Sequence, residues 1–433
     1  MRLTYRIVRP LARIALKTYF SKIYLNGLEK IPTDKPIILA ANHPSAFLEP
    51  CILATTLPRP LHFMVRGDLF QKPIYSAMLM SLHMIPMFRL KDTGYKGLKN
   101  NFSTLNISYD LLNDKEQILI LAEGTTKHEK RLRPIQKGAA RMALGAIEKY
   151  PDLDVYIVPI GVNYTDILNY RSEVMLQIGD PISIQANIGD GNENTAKIIK
   201  KVTAQLKERL EKLVIHIDQK EDEELCEVLF EFYRNNYPSP NFPVQSDNPK
   251  PLEKAIWVAE KINKLATSPK KDLAEKVAKY QDDLTKHNLV DEVIVQPHFY
   301  HPFAILGIIA GFLPFVLGWF FNILPIKFGK YLAENKVKNI TFYASIKASM
   351  ALAAYIVYFP VLFLLSLFSK SIFLVIFVIM IPFLGFFALQ YYEYLQKWKQ
   401  GRQFYKTNAD IINDLKLQRK TILREFEKRG VEV

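Results

Sequence analysis

Three long stretches without a charged side chain limit what this chain can fold into. They cover residues 302–326, 348–369 and 371–392 of a 433-residue sequence. Each is long enough to cross about 30 Å of hydrocarbon at about 1.5 Å per helical residue. The first 300 residues read instead as a soluble, mixed sequence. We therefore predict a soluble region followed by a C-terminal transmembrane region.

The charges that flank these stretches favour one topology. Lysines are concentrated in residues 327–347 and in residues 397–402, whereas Lys370 alone separates the last two stretches. The positive-inside rule places both basic flanks in the cytoplasm and Lys370 outside. The first stretch is interrupted at Gly307, Gly311, Pro314 and Gly318. We therefore expect a re-entrant hairpin over 302–326 and true spans over 348–369 and 371–392, with three full spans as the alternative.

The basic balance of the chain indicates an acidic partner. The formal net charge is +14. Beside membrane segments, anionic lipid is the favoured partner, because each basic residue gains roughly 1 kcal/mol near such a surface. The sequence has no zinc-finger spacing and no aromatic ribonucleoprotein motif, so we predict no nucleic-acid partner. Cys51 and Cys226 lie far apart, which fits a reducing cytoplasm, and Cys51 is expected to be an inert thiol.

The pattern of the chain changes along its length. Residues 1–30 begin with basic residues three or four apart among apolar ones, which is typical of an amphipathic interfacial helix; a helix packed on the soluble domain is the alternative. Residues 31–215 form the candidate catalytic domain. Residues 216–300 have the Lys- and Glu-rich spacing of a helical connector. The membrane region covers residues 301–392, and residues 393–433 are expected to form a basic cytoplasmic helical tail.

Short apolar runs alternate with helical spacing in the 31–215 domain. The runs expected to be strands are residues 36–42, 61–65, 118–122, 155–162 and 174–179. Between them, residues 97–113 and 137–149 have helical spacing. This alternation predicts an α/β fold with a mixed, largely parallel sheet and flanking helices. The ends of such strands are where reactive side chains normally lie.

A histidine follows the first predicted strand. The sequence there is Asn42-His43-Pro44-Ser45-Ala46-Phe47-Leu48-Glu49-Pro50. Imidazole has an ordinary pKa of about 6.5, so it can accept a proton near neutral pH. A carboxylate bonded to the far ring nitrogen would fix the tautomer. By themselves, His43 and Glu49 fit a surface histidine at a strand end better than a catalytic base. His62 and His83 lie among apolar residues and are expected to be structural.

Further blocks follow in a defined order. They are Ile85-Pro86-Met87-Phe88-Arg89, Ala122-Glu123-Gly124-Thr125 after a predicted strand, and Val158-Pro159-Ile160, which breaks one. With the histidine block, their order and spacing resemble the glycerophospholipid acyltransferase family, which includes lysophosphatidic acid and glycerol-3-phosphate acyltransferases. Residues 63–70 and 136–140 are also similar to that family. The resemblance covers roughly residues 30–215 and is specific as a set.

The resemblance implies a reaction and roles for the matching residues. A fatty acyl chain would pass from a thioester of coenzyme A or acyl carrier protein to the hydroxyl of glycerol-3-phosphate or its 1-acyl form, with no cofactor or metal. His43 would deprotonate that hydroxyl, and Glu49 would orient His43. The acceptor's phosphate and glycerol would be held by Arg89, Glu123, Gly124 and Thr125. For Arg89 the chemistry agrees, because a guanidinium offers paired donors to phosphate.

The chain departs from the family pattern in ways that keep alternatives open. The family's acid usually stands where this chain has Leu48, and here the acid is Glu49 rather than Asp. The Glu-Gly-Thr block lacks its usual preceding Phe-Pro and following arginine, which leaves Lys127, Arg131 or Arg133 as substitute cations. One alternative is a catalytically silent, lipid-binding membrane scaffold with an acyltransferase-like fold. Another is an acyltransferase for a different lysolipid or an amino-acid lipid. Oligomeric state stays open.

Overall fold

The computed structural model describes residues 3–88, 101–189, 194–240, 242–297 and 303–428. The chain divides into two compact units. The first consists of Met1–His216, Asn241–Leu252 and Val337–Ser345, and the second of Ile217–Pro240, Glu253–Lys336 and Ile346–Val433. This division differs from the predicted one. Asn241–Leu252, inside the predicted helical connector, belongs with the α/β domain. A short segment between two apolar helices, Val337–Ser345, belongs with the α/β domain, whereas the rest of the membrane region groups with the helical connector and the tail.

The first unit is built on a nine-stranded sheet. Its strands are β1 (Lys22–Asn26), β2 (Ile37–Ala41), β3 (Leu61–Arg66), β4 (Met84–Met87), β5 (Gln117–Leu121), β6 (Tyr156–Tyr164), β7 (Glu173–Ile178), β8 (Ile182–Ser183) and β9 (Gln245–Ser246). Their order is β4-β3-β5-β2-β6-β7-β1-β9, with β8 paired to β6. Only the β6–β7 and β6–β8 pairs are antiparallel. The predicted mixed, largely parallel sheet is confirmed.

Helices cover this sheet. They are α1 (Leu3–Tyr19), α2 (Leu48–Thr56), α3 (Pro73–Ser81), α4 (Asn101–Asn113), α5 (Gly138–Lys149), α6 (Gln185–Ile188) and α7 (Thr195–Glu211). The apolar stripe of α7 is buried as predicted, at Ile198, Val202, Leu206 and Leu210. It packs with α5 and with inward-facing residues of β2, β5 and β6. Each fully buried aliphatic side chain contributes about 1.5–3 kcal/mol, so this core fixes the positions of the three central strands.

Pro159 lies inside β6 and does not break it, contrary to the prediction. The strand runs from Tyr156 to Tyr164 without interruption. A proline lacks the N–H that a central strand normally donates. On one side of β6 the antiparallel partner changes at Pro159. Strand β8 pairs with Tyr156 and Ile157, and β7 pairs from Ile160 onward. The N–H is therefore not needed at Pro159, while its carbonyl still accepts a hydrogen bond from the Gly179 N–H at 2.9 Å.

Helix α1 has features both of a helix packed on the domain and of an amphipathic interfacial helix. The guanidinium groups of Arg9 and Arg13 donate to the carbonyls of Leu57 and Thr55 at the C-terminal end of α2. Cations at a helix C-terminus are favourable, since the last carbonyls lack intrahelical partners. The opposite side of α1 leaves apolar side chains in solvent, with Leu3 73% and Ile14 65% exposed. The helix is therefore packed on the domain and still presents an apolar surface.

The second unit is helical. It contains α8 (Glu223–Asn236), most of α9 (Lys250–Lys264), α10 (Thr267–Lys286), α11 (Asp291–Val295), α12 (Ala304–Lys336), most of α13 (Tyr343–Phe368), α14 (Ile372–Lys406) and α15 (Ala409–Lys428). A buried ion pair between Arg419 and Asp291, at 2.7 Å, joins α15 to α11. Helix α14 runs through the predicted boundary between the last span and the tail. The helical connector of residues 216–300 and the C-terminal tail therefore pack together.

The predicted re-entrant hairpin over residues 302–326 is wrong in the described part of that stretch. Residues 304–336 form one helix, α12, which continues through Pro314 and Pro325. Among the described residues, three helices, including α12, are long and apolar enough to cross a membrane. Membrane helices tolerate prolines and glycines where neighbouring helices pack against them. Here Gly318 allows close approach of the Leu384 backbone, and Gly385 leaves room for the Asn322 side chain. Asn322 stabilises the packing by donating to the Gly318 and Ile381 carbonyls at 2.7 and 3.0 Å.

Glycines in α12 differ sharply in what surrounds them, which gives a matched test of this packing. A Cβ added at Gly318 would lie 2.0 Å from the Leu384 carbonyl oxygen, whereas one at Gly307 would meet nothing within 4 Å. We expect Gly318→Ala to lower the unfolding temperature by several degrees in detergent, since overpacking costs about 1–3 kcal/mol. Gly307→Ala should leave it unchanged. Equal unfolding temperatures for the two variants would contradict the close packing of α12 on α14.

Candidate active site

The site lies where parallel strands of the first unit end. Strand β2 ends at Ala41 and β5 at Leu121, and the two pair directly with Ala41 opposite Leu121. The carboxyl ends of parallel neighbours meet at one edge of a sheet. The loop that starts at Asn42 therefore lies beside the loop that starts at Ala122. These two loops carry His43 and Glu123.

Asn42 anchors the first loop. Its side-chain oxygen accepts from the Val162 N–H at 2.7 Å, and its side-chain nitrogen donates to the Val162 carbonyl at 2.9 Å. The amide thus extends the pairing of β2 with β6 by one step beyond the strand end. This leaves the backbone of His43 free to bond elsewhere. Its N–H donates to Glu123 Oε2 at 2.7 Å, and its carbonyl accepts from the Lys127 N–H at 3.4 Å.

The two ring nitrogens of His43 face different groups. Nε2 lies 2.5 Å from the hydroxyl oxygen of Thr126. Nδ1 lies 3.9 Å from Glu49 Oε1, within ion-pair distance, and has no hydrogen-bond partner among the described residues. Only 8% of His43 is exposed. The ring therefore has a hydroxyl on one side and a carboxylate on the other, as a general base with an orienting acid requires.

Glu49 is fully buried in the first turn of α2. Its Oε1 accepts from the Ser45 N–H, while Oε2 has no hydrogen-bond partner in the described part of the chain. Burial raises the pKa of the Glu49 carboxyl, and His43 and the Ser45 N–H oppose that rise by favouring the charged form. A buried carboxylate without full hydrogen bonding is costly, which is typical of functional sites rather than of structural cores.

Glu123 joins the two loops. Besides the His43 N–H, it accepts from the Arg133 N–H at 2.8 Å and forms an ion pair with the Arg133 guanidinium at 2.9 Å. Arg133 also donates to the Thr125 hydroxyl at 2.7 Å and to the Thr125 carbonyl. Arg133, one of the three predicted substitute cations, thus bonds directly to this block. Both oxygens of Glu123 are therefore engaged within the protein, in a structural ion pair with Arg133 and in hydrogen bonds to two backbone N–H groups.

Gly124 gives the second loop its shape. Its φ of +70° lies in the left-handed region that glycine tolerates best, and the residue is exposed. The turn is closed by the Gly124 N–H, which donates to the Leu121 carbonyl at 3.1 Å. Lys127, which follows closely, forms an ion pair with Glu129 at 2.7 Å. The exposed rim of the site is therefore a glycine turn with basic residues beside it.

The part of the chain that holds this site resembles a known protein family. Residues 22–163 match the family described as Acyltransferase. That range contains β1 to β6 and both loops of the site. The part of the chain that matches this family is called the acyltransferase domain below.

Known relatives resemble only part of this chain. The chain is 33% identical over 112 residues to glycerol-3-phosphate O-acyltransferase 2 of Saccharomyces cerevisiae, which is 25% of this chain and 15% of that protein. It is 43% identical over 65 residues to glycerol-3-phosphate O-acyltransferase 1 of the same yeast, which is 15% of this chain and 9% of that protein. The solved 1-acyl-sn-glycerophosphate acyltransferase PlsC of Thermotoga maritima is 17% identical, covering 48% of this chain and 79% of that one, with a TM-score of 0.35.

Most of the predicted site residues come together in the acyltransferase domain. His43, Glu123, Gly124 and Thr125 lie on the two neighbouring loops, and Glu49 faces His43 from the first turn of α2. Arg89, the remaining predicted residue, lies outside the described residues. Sequence reasoning did not identify the further residues that hold the site, which are Asn42, Ser45 and Thr126. A hydroxyl directly after the Glu-Gly-Thr block is a signal that could have drawn attention to Thr126.

The cysteine and the two other histidines considered in the sequence have no part in the His43 site. Burial raises the pKa of the Cys51 thiol to about 12, with Glu49 adding to the effect, so the sulfur stays protonated and unreactive near neutral pH. His62 and His83 hydrogen-bond each other through Nε2 and Nδ1 at 3.1 Å. His62 lies near the start of β3, at the sheet edge opposite the site. Their mutual bond agrees with the structural role expected of them.

The burial of Glu49 predicts a pH-dependent cost in stability. Because its pKa is raised in the folded state, the neutral carboxyl costs nothing extra below its ordinary pKa of 4.5, and stability is lost as pH rises through the raised value. Glu49→Gln removes that loss. We expect the unfolding temperature of Glu49→Gln to match that of the unchanged protein near pH 4.5 and to exceed it by a few degrees at pH 8. Thermal unfolding in detergent across this range would contradict the account if the difference stayed constant or reversed.

Proposed function

We propose that this protein is an O-acyltransferase of phospholipid synthesis. It would move a fatty acyl chain from a thioester of coenzyme A or acyl carrier protein to the hydroxyl of glycerol-3-phosphate or 1-acylglycerol-3-phosphate. One observation carries the proposal: Nε2 of His43 holds a hydroxyl at 2.5 Å while Nδ1 faces the buried Glu49 carboxylate. The names of the matched yeast relatives support the same substrate class.

The geometry supports a direct transfer. The acceptor hydroxyl replaces Thr126 at Nε2 and gives its proton to His43 as its oxygen attacks the thioester carbonyl. The new C–O bond forms, the C–S bond breaks, and the departing thiolate takes the proton back from the imidazolium. Glu49, on the other side of the ring, stabilises the imidazolium while it exists. These steps need a base and two substrates, and no redox or group-carrying cofactor.

The second loop is suited to the acceptor's phosphate. Gly124 is exposed and has no side chain, so a phosphate can approach the backbone closely. Arg133 already holds Thr125, which fixes this loop next to His43. Lys127 and the basic residues up to Arg133 add positive charge at the rim. We assign Arg89, Glu123, Gly124 and Thr125 to acceptor binding, with Glu123 acting through Arg133.

A membrane location fits this chemistry. The acceptor and product are lipids, and the three apolar helices can anchor the protein in the bilayer. The acyltransferase domain also exposes apolar side chains on α3, among them Ile74 at 75%, in addition to those on α1. Basic residues among the apolar ones of α1 suit anionic lipid. We place this domain at the cytoplasmic leaflet of a multi-pass protein, where acyl thioesters and anionic lipids meet.

Acyl transfer by purified protein tests the proposal. Labelled acyl thioester is supplied with glycerol-3-phosphate or with 1-acylglycerol-3-phosphate. We expect transfer to one of these acceptors and a loss of roughly 10²–10⁴-fold in His43→Ala, the usual contribution of a general base. His287→Ala, at the end of α10, is the matched control and should keep full activity.

The possible failures are informative. A folded protein that transfers to neither acceptor but does transfer to another lysolipid or an amino-acid lipid would correct the acceptor. A folded protein that binds lipid and transfers to no acceptor would instead be a silent scaffold. Full activity in His43→Ala would refute the assignment of the base.

Thr126 provides a separate test of direct transfer. If its hydroxyl only occupies the position of the acceptor, Thr126→Ala should keep transfer within about tenfold, because the loss of one neutral hydrogen bond is worth about 0.5–1.5 kcal/mol. Steady-state kinetics with both substrates varied would measure this. A loss as large as that of His43→Ala, with an acyl group found on Thr126 by mass spectrometry of the unchanged enzyme, would show a covalent acyl intermediate in place of direct transfer.

A further inference from the structure

A short segment between two apolar helices belongs to the acyltransferase domain. This segment, Val337–Ser345, is called the connector below and is distinct from the helical connector of residues 216–300. It is joined to α12 at one end and leads into α13 at the other. Asn339 shapes it, because the Asn339 side-chain oxygen accepts from the N–H and the hydroxyl of Thr341 at 3.0 and 2.9 Å. Thr341 and Ser345 are buried, Ser345 with 1% exposure. The connector is thus an ordered part of the domain.

Ser345 bonds to the loop that carries His43. The Phe47 N–H donates to the Ser345 hydroxyl oxygen at 3.1 Å, and the hydroxyls of Ser345 and Ser45 lie 3.4 Å apart. Phe47 is the residue directly before α2 and has no side-chain cap of its own. Backbone N–H groups at a helix start lack intrahelical partners, and a buried one that finds none is costly. Ser345 supplies that partner from a position 298 residues away along the chain.

The residues that bond to Ser345 also determine the position of the Glu49 carboxylate. The Ser45 N–H donates to Glu49 Oε1, and that oxygen faces Nδ1 of His43 at 3.9 Å. Ser45 and Phe47 therefore define the backbone between the base and its acid. Ser45 is fully buried, so neither its hydroxyl nor that of Ser345 can exchange its partner for bulk water.

The connector also bonds to the second loop of the site. His128, three residues after Thr125, hydrogen-bonds to the backbone of Thr341. Burial lowers the pKa of His128, and this hydrogen bond opposes the effect. The connector thus touches the loop of the base through Ser345 and the loop of the Glu-Gly-Thr block through Thr341.

We propose that Ser345 is a positioning residue for the His43–Glu49 pair. This rests on the proposed function, since it concerns the geometry of the proposed base. The Ser345 hydroxyl holds Phe47 and Ser45 so that the Glu49 carboxylate stays opposite Nδ1. Because the connector is continuous with α12 and α13, the order of the catalytic loop depends on a segment of the membrane region.

Two variants of Ser345 test this in the full-length protein. Ser345→Ala removes the acceptor of the Phe47 N–H, and we expect kcat to fall roughly 10- to 100-fold, as misplacement of a catalytic group does. The KM values for donor and acceptor should stay within about threefold, since no substrate contact is lost. Ser345→Thr keeps the hydroxyl and should recover most of kcat. Ser366→Ala is the matched control, because the Ser366 hydroxyl is also buried in α13 but bonds only to the Phe363 carbonyl in its own helix.

Hydrogen–deuterium exchange gives a second readout that does not need activity. In Ser345→Ala, exchange should speed up in the peptide that contains Phe47, and the peptides of β2 and β6 should be unchanged. A Ser345→Ala variant with full kcat, or with unchanged exchange at Phe47, would overturn the proposal. Failure of the proposed function is distinguishable, because it appears as full activity in His43→Ala or as absence of transfer in the unchanged protein, whatever Ser345→Ala shows.

Discussion

The buried carboxylate of Glu123 is the interaction on which the site depends. It accepts from the backbone of His43 on one loop and from the backbone and guanidinium of Arg133 on the other. Its charge is matched by Arg133, so the pair can be buried without leaving a bare charge, and Arg133 in turn holds Thr125. One side chain therefore sets the distance between the proposed base and the proposed phosphate loop. The pairing of β2 with β5 brings the loops together, and Glu123 keeps them in register.

Glu49 presents the opposite case, since its burial is only partly compensated. One oxygen accepts from the Ser45 N–H and faces His43, and the other has no hydrogen-bond partner in the described residues. Such a group raises the free energy of the folded state, and it persists because the surrounding fold over-determines its position. Asn42 holds one side of the loop against β6, and Ser345 holds the other. Catalytic geometry is thus maintained by neutral hydrogen bonds around an under-solvated acid.

These contacts relate the proposed chemistry to the membrane region. The product proposed for this protein is a lipid that would leave into the bilayer, so a site ordered by a segment of that region suits the proposed reaction. The apolar surfaces of α1 and α3 belong to the same domain. Arg9 and Arg13, which look like lipid-facing cations in the sequence, instead bond to the end of α2, the helix that carries Glu49. The N-terminal helix therefore also supports the catalytic loop.

The amino-acid sequence by itself determined the α/β class, five of the strands, the apolar helices and the pair His43–Glu49, because apolar periodicity and motif order are local properties. It did not show β1, β4, β8 or β9, which have only two to five residues each and therefore no clear period of their own. It misjudged Pro159 and the stretch 302–326, because a proline or glycine is tolerated wherever a neighbouring strand or helix makes its missing group unnecessary. Only the tertiary structure decided that Arg133 bonds the Glu-Gly-Thr block and that Ser345 holds the histidine loop. Arg133 bonds residues eight to ten positions before it across an irregular loop, and Ser345 bonds Phe47 from 298 positions away. No spacing rule encodes which hydroxyl or cation a buried N–H or carboxylate will meet.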